Sequence, residues 1–304
     1  MSPRSSVLFV DHLTKQFGRL RAIDDISFSV KPGEIVGFAG PNGAGKTTTI
    51  ASLLGFLRPT HGTITLFGDA IMPENAHRYH TRIGYAAGDM ALLDNLTGAQ
   101  YLQHMAHLTR VNKTHQHELI EQFDPVLDKP LRQLSRGNKQ KIALVAALQH
   151  EPKLLILDEP TTGLDPLMQD TFLGILKKQS RDGTTVFMSS HILGEVTDVC
   201  ERVLFMKHGR IILDERVKNI ESQAGKEIRI KADKASLLAL MKSRPSGLGK
   251  PSTSADGYVV CLYKGPVSKA IAWLNSQKIK DVIIRDRDFE SIFHDMYQTE
   301  GDSL

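Results

Sequence analysis

The continuously apolar segment Ile35-Val36-Gly37-Phe38-Ala39 runs directly into Gly40-Pro41-Asn42-Gly43-Ala44-Gly45-Lys46-Thr47, which spells G-x-x-x-x-G-K-T. The apolar run reads as a strand, and the residues from Thr48 to about Leu57 read as the helix that follows it. Glycine at 40, 43 and 45 lets successive backbone N–H groups turn inward around a phosphate. Lys46 adds a mobile positive charge for the β- and γ-oxygens, and Thr47 can place its hydroxyl on Mg²⁺. The helix beginning at Thr48 aims the positive end of its dipole at the same anion. A nucleoside triphosphate is the ligand this arrangement fits. The alternative is a flexible glycine turn that binds nothing.

At 304 residues the chain has room for one large domain with a substantial core and a small appendage. Its net charge of +4, with 24% charged residues spread along the sequence, argues against a nucleic-acid partner. Cys200 and Cys261 are too few for a disulfide framework and fit a reducing compartment. Both read as small buried apolar residues. No run approaches the ~18 apolar residues of a membrane helix, and Met1 to Ser6 lead straight into the strand-like Val7-Leu8-Phe9-Val10. Neither a membrane span nor a secretion signal is expected.

A second apolar run, Leu154-Leu155-Ile156-Leu157, ends in Asp158-Glu159-Pro160. Continuous apolarity is the pattern of a parallel strand covered on both faces, so the two carboxylates fall at a strand's C-terminal end. Beside a phosphate loop, Asp158 is placed to hold the metal and Glu159 to polarise the attacking water. Acidic turn residues with no such role are the plainer reading of the same letters. Upstream lies Leu134-Ser135-Arg136-Gly137-Asn138-Lys139-Gln140-Lys141, followed by a helical pattern through Ile142, Val145, Ala146 and Leu148. Ser135 reads as an N-cap and Gly137 opens the first turn. Either this is an ordinary capped helix, or it is a second helix start that offers N–H groups and a hydroxyl to phosphate.

Over residues 5 to 220 the chain resembles the ATP-binding subunit of an ABC transporter. The order of motifs carries the resemblance: the glycine loop, the Leu134–Gln140 signature, Leu154 to Pro160, Gly163-Leu164-Asp165-Pro166 and His191. It implies an α/β cassette of the P-loop NTPase type, with a mostly parallel core sheet, an antiparallel β subdomain and a helical subdomain at about residues 85–150. It implies that Ser135 and Gly137 act in trans, completing the nucleotide site of a second copy, so that two MgATP are sandwiched in a head-to-tail dimer. It assigns His191, after the strand-like Thr185 to Ser190, to the γ-phosphate and the attacking water, a role suited to imidazole's two nitrogens. It places Phe17 where an aromatic ring stacks on adenine; a buried strand residue is the other reading. Gly163 to Pro166 resembles the loop that communicates between the two sites, or is a simple turn.

The chain also departs from that family's pattern. Where a glutamine usually follows a Gly-Tyr pair, this sequence reads Ile83-Gly84-Tyr85-Ala86-Ala87-Gly88-Asp89, which sets Gly88 at the metal-reaching position. Glycine ligates nothing, so water or Asp89 must substitute, or hydrolysis and coupling are weaker. Arg136 and Asn138 replace the commoner glycine and glutamine of the signature.

Within residues 85–150, Leu96, Tyr101, Leu102, Met105 and Leu108 mark an amphipathic helix beginning near Thr97. His104, His107, His115 and His117 lie nearby without a cysteine or paired carboxylate to complete a metal site, and read as a solvated helix and loop. After Asp214-Glu215-Arg216 the phosphate motifs stop. Residues 225–300 read as a small α+β domain: strands at Glu227–Lys231, Tyr258–Tyr263 and Val282–Ile284, helices at Leu237–Met241, around Ile271–Leu274 and at Phe289–Phe293, and a Ser/Pro/Gly-rich loop between Pro245 and Gly257. It resembles the accessory domain of drug-exporter-type ABC ATPases.

The chain therefore reads as the ATPase subunit of a bacterial-type exporter. It is expected to use ATP and Mg²⁺ and to sit at the cytoplasmic face of the cell membrane against a separate integral membrane permease. The alternatives are an importer's ATPase and a soluble non-transport ABC ATPase. The latter usually has two cassettes or long coiled coils, whereas this sequence carries a single glycine loop of this type and no sustained heptads.

Overall fold

The apolar runs become strands of one central sheet. In this computed structural model, which describes residues 6–88, 91–109, 111–276, 278–287 and 292, the chain divides into two compact units, 1–215 and 216–304. In the first unit the elements are β1 (Leu8–Phe17), β2 (Leu20–Val30), β3 (Ile35–Ala39), α1 (Lys46–Leu53), β4 (His61–Leu66), β5 (Asp69–Ala70), β6 (Ile83–Ala87), α2 (Gly98–Leu108), α3 (Lys113–Phe123), α4 (Arg136–Leu148), β7 (Leu154–Asp158), α5 (Pro166–Arg181), β8 (Thr185–Ser190), α6 (Leu193–Val199), β9 (Arg202–Lys207) and β10 (Arg210–Arg216). The central sheet runs β10-β9-β3-β8-β7-β6, and every pairing from β9 to β6 is parallel. Strands β3, β7, β8 and β9 are buried at every position, as helix-covered parallel strands must be. A second sheet, β2-β1-β4-β5, is antiparallel.

The two sheets share a core. Phe28 of β2 stacks on Phe187 of β8 at 5.5 Å between ring centres, and Phe38 of β3 lies 5.1 Å from Phe187. Around this trio close Leu8, Val10, Ile26, Ile64, Ile156 and Leu204. The expected mostly parallel core and antiparallel subdomain are both present, and α2, α3 and α4 supply the helical part. Those helices begin beyond β6, so Tyr85 sits on the central sheet's edge strand and not in the helical segment.

Two local expectations need correction. Helix α1 ends at Leu53, short of Leu57, because Gly55 at φ 73° lets the Phe56 and Gly55 amides fold back onto the carbonyls of Ala51 and Ser52, a Schellman stop. A side chain at Gly55 would also meet the Ala76 Cβ at 2.4 Å. Helix α2 starts where expected, at a capping box of Thr97 and Gln100, but its buried stripe is narrower: Tyr101 and Leu102 are covered whereas Leu108 is 59% exposed.

At the end of α4, His150 bonds the Ile83 carbonyl at 3.2 Å, and burial lowers its pKa below the usual 6.5. The unfolded chain therefore takes up a proton first as the pH falls. The contribution of neutral His150 is complete above about pH 6.5 and is lost as the pH drops towards the lowered folded value. Denaturant titrations from pH 7.5 to 5.5 should show His150→Gln with a shallower loss of stability than the parent; parallel slopes would exclude this residue as the source.

The second unit holds α7 (Val217–Ala224), β11 (Lys226–Lys231), α8 (Lys234–Lys242), β12 (Ser252–Thr253), β13 (Val259–Tyr263), α9 (Val267–Leu274) and β14 (Asp281–Asp286). Its antiparallel sheet, β12-β13-β11-β14, packs Ile228, Ile230 and Tyr263 against Leu240, Ala270, Trp273 and Leu274. The Trp273 indole donates to the Leu240 carbonyl at 2.9 Å, which locks α9 to α8. Strand β12 falls inside the expected loop; two exposed residues after Pro251 are too short a run to show alternation. Of the helix expected at Phe289–Phe293 only Ile292 is among the described residues, and it is helical; Asp89 lies outside them.

Candidate nucleotide site

The glycine loop joins β3 to α1 with Gly40, Gly43 and Gly45 at φ 154°, 80° and 111°. Two of these have no room for a side chain as well. A Cβ on Gly40 would meet the Met206 carbonyl at 2.3 Å, and one on Gly45 the Ala22 carbonyl at 2.4 Å, so the loop is pressed against its neighbours. Lys46 is buried to 6% exposure, and its Nζ donates to the Gly40 carbonyl at 2.6 Å and the Pro41 carbonyl at 3.2 Å. The ammonium is thereby folded back over the loop.

Across the cleft, the end of β7 delivers the carboxylates and β8 holds them in place. Ser189 Oγ donates to Asp158 Oδ1 at 2.5 Å and accepts the Glu159 amide at 3.0 Å, so one hydroxyl fixes both acidic residues. Glu159 sits in the left-handed region at φ 52°, which turns its carboxylate away from the strand. Its Oε1 is 3.4 Å from Lys46 Nζ, and its Oε2 is hydrogen-bonded to His191 Nδ1 and to the His191 amide. Lys46, Glu159 and His191 thus form one connected line of charge and polarity. Tyr85 on β6 lines the same cleft; burial and the Asp158 charge push its hydroxyl pKa up and keep the phenol neutral.

The cleft has a volume of 1160 Å³ and is lined by Pro41, Asn42, Gly43, Gly45 and Lys46, by Thr47 and Thr48, and by Asp158, Glu159 and His191. Sequence-expected residues from three separate stretches therefore meet around one space. Ala44, at the loop's bend, is buried and bonds the Gly209 amide through its carbonyl. Gly40, like Ala44, belongs to the glycine loop without lining the cleft, and three further expected residues stand apart from it altogether: Phe17, Ser135 and Gly137. Phe17 ends β1 with 46% exposure, its ring 5.0 Å from Lys15 Nζ. Ser135 caps α4 by accepting the Asn138 amide at 3.3 Å. Gly137 is pressed so closely on the next loop that a Cβ would lie 2.6 Å from the Gly163 carbonyl.

The sequence reading missed Arg21, Thr162 and His208, which also line the cleft; they lie far apart in the chain and only the topology assembles them. Arg136, singled out only as a departure in the signature, lines it too. At Gly88 the amide bonds the Asp158 carbonyl at 2.8 Å, and a Cβ would come within 2.7 Å of the Glu159 carbonyl and 2.9 Å of Thr162 Cβ. The missing side chain is therefore matched by a close approach of backbone to backbone.

A buried lysine on a glycine loop at a helix start, facing carboxylates at the end of a parallel strand of the same sheet, defines a P-loop nucleotide-binding protein. Residues 23–162 match the ABC transporter family model. Over 96% of both chains the sequence is 33% identical to YhcH, an uncharacterized ABC transporter ATP-binding protein of Bacillus subtilis. Over 71% of both it is 35% identical to the bacitracin transport ATP-binding protein BcrA of Enterococcus faecalis. A solved ATP-binding subunit of an ABC transporter superposes on 72% of this chain and 93% of its own, with TM-score 0.66 and 28% identity. The chain belongs to the ABC transporter ATP-binding family, whose cassettes bind nucleotide and hydrolyse ATP. Among the described residues no helix is long and apolar enough to cross a membrane.

Proposed function

We propose that two copies of this chain close head to tail around two MgATP and drive an integral membrane permease as an exporter, from the cytoplasmic face of the membrane. The observation that carries this reading is the convergence of Lys46, Asp158, Glu159 and His191 on one cleft while Ser135 and Gly137 stay outside its lining. In this reading the cassette spans residues 5–220, with its helical subdomain running from α2 to α4, Gly98 to Leu148, and residues 225–300 form the accessory domain. Lys46 and the loop amides of residues 40–48 hold the phosphates, and Phe17 covers the base. Thr47 and Asp158 supply hard oxygens of the kind Mg²⁺ prefers, and the bound ion would neutralise phosphate charge. Glu159 accepts the proton of the attacking water, and His191, tied to that carboxylate, orients it. Similarity to a bacitracin transport subunit and the small α+β second unit support export.

The composite site has a direct test. Lys46→Ala and Gly137→Asp chains should each be inactive alone. Mixed in equal amounts, half of the dimers pair one of each, and each of these holds a single intact site, so about a quarter of the parent ATPase rate should return if each site acts alone. No recovery on mixing would mean that the signature helix does not serve a partner.

A further inference from the structure

Strand β14 is an edge of the second unit's sheet: β11 pairs with its inner side, and among the described residues no strand pairs with its outer side. Edge strands are usually blunted by a charge in the middle, a proline or a bulge. Here Asp281-Val282-Ile283-Ile284-Arg285-Asp286 is apolar at its centre, with Val282 40% and Ile283 41% exposed, and carries its charges only at the ends. The order of those charges fits a particular occupant.

We propose that the outer edge of β14 pairs antiparallel with β14 of a second copy, on a two-fold axis through Ile283. In that register Ile283 faces Ile283 of the partner subunit and Val282 faces Ile284 of the partner subunit. Asp281 then lies opposite Arg285 of the partner subunit, and Lys280 opposite Asp286 of the partner subunit. Each pair occurs twice by symmetry, so the surface is self-complementary, as an isologous contact requires. Directly opposed residues in an antiparallel pair share a face and have close Cβ atoms, so each opposite-charge pair stabilises the contact. Moving the register by two residues, to an axis through Val282, sets Asp281 against Ile283 of the partner subunit and Arg285 against Ile279 of the partner subunit, and both charge pairs are lost. The register inside each copy agrees: Asp281, Ile283 and Arg285 pair with Lys231, Arg229 and Glu227 of β11, and Arg285 already reaches Glu227 at 3.0 Å. The eight-stranded sheet that results continues the main-chain bonding across the two-fold, a form of strand addition. It uses no nucleotide, and so stands or falls apart from the ATP-sandwich dimer.

Single cysteines in the full-length chain test it, the two native cysteines being buried. With no nucleotide present and mild oxidation, Ile283→Cys should give a covalent dimer, because that residue faces itself. Val282→Cys alone should give at least about tenfold less, since its counterpart lies diagonally, beyond the ~7 Å Cα separation a disulfide spans. A mixture of Val282→Cys and Ile284→Cys chains should crosslink well. On the Ile283→Cys background, Asp281→Arg or Arg285→Asp should each lower the yield, and the two together should restore it. Ile283→Cys remaining monomeric would overturn the proposal, as would a double charge swap that fails to recover crosslinking or Val282→Cys crosslinking as well as Ile283→Cys.

Discussion

Glu159→Gln is expected to lower kcat for ATP hydrolysis by roughly 10²- to 10⁴-fold while nucleotide binding survives, the range over which a positioned general base contributes. The substitution keeps shape and removes basicity. The backbone of residue 159 is held independently of its side chain, by the amide bond to Ser189 Oγ at 3.0 Å, so the glutamine should occupy the same place. Removing the carboxylate also takes away the acid 3.4 Å from Lys46 Nζ. The buried ammonium keeps its carbonyl partners at Gly40 and Pro41, but its charge is no longer offset, so the loop becomes more positive towards phosphate. ATP should accordingly bind at least as tightly as to the parent, and the nucleotide-bound dimer should persist on gel filtration. Single-turnover hydrolysis together with equilibrium binding of a fluorescent ATP analogue separates the two effects. Hydrolysis at the parent rate would remove Glu159 as the base; lost binding would mean that the carboxylate holds the site together.

What could be read from the sequence follows from what is local. The glycine loop, the strand before it and the carboxylates after Leu157 depend on neighbours within a few residues, and their geometry agrees with the letters. The Ser135 cap is equally local and is present. The lining that sequence alone does not show is non-local: Arg21, near the start of β2 in the antiparallel sheet, and His208, after β9 beside β3 in the central sheet, share a cleft with Lys46 only through the fold. Helix α1 stops early because Gly55 takes a left-handed φ, and apolar periodicity running through Phe56 and Leu57 hides that stop. Leu108 fits a helical stripe by spacing, but no element among the described residues covers it and its side chain stays exposed. Gly88 shows the limit most sharply. The sequence reports a missing side chain, whereas the structure adds that Thr162 and the Glu159 carbonyl fill the space a Cβ would need.

Phe187→Ala should destabilise the first unit by about 3–5 kcal/mol, the usual result of deleting a large buried aromatic side chain. Phe187 is fully buried on the central strand β8 and contacts Phe28 and Phe38, so its removal opens a cavity at the junction of the two sheets. At roughly 2–4 °C per kcal/mol for a unit of this size, the first thermal transition should fall by about 6–20 °C. Phe187→Leu keeps much of the volume and should lose less than half as much. Activity should suffer beyond the stability loss, because Phe187 and Ser189 point to the same face of β8, and Ser189 fixes both Asp158 and Glu159. A strand that settles into the cavity moves the serine, and a displacement near 1 Å at a catalytic group costs about a hundredfold in rate. ATPase measured well below the lowered transition, where the variant is folded, should therefore fall further in Phe187→Ala than in a Leu8→Ala control matched in stability, since Leu8 is buried in the same core but lies on β1, away from the carboxylates. Equal activities in the two variants would show that the aromatic trio supports the fold without setting the site.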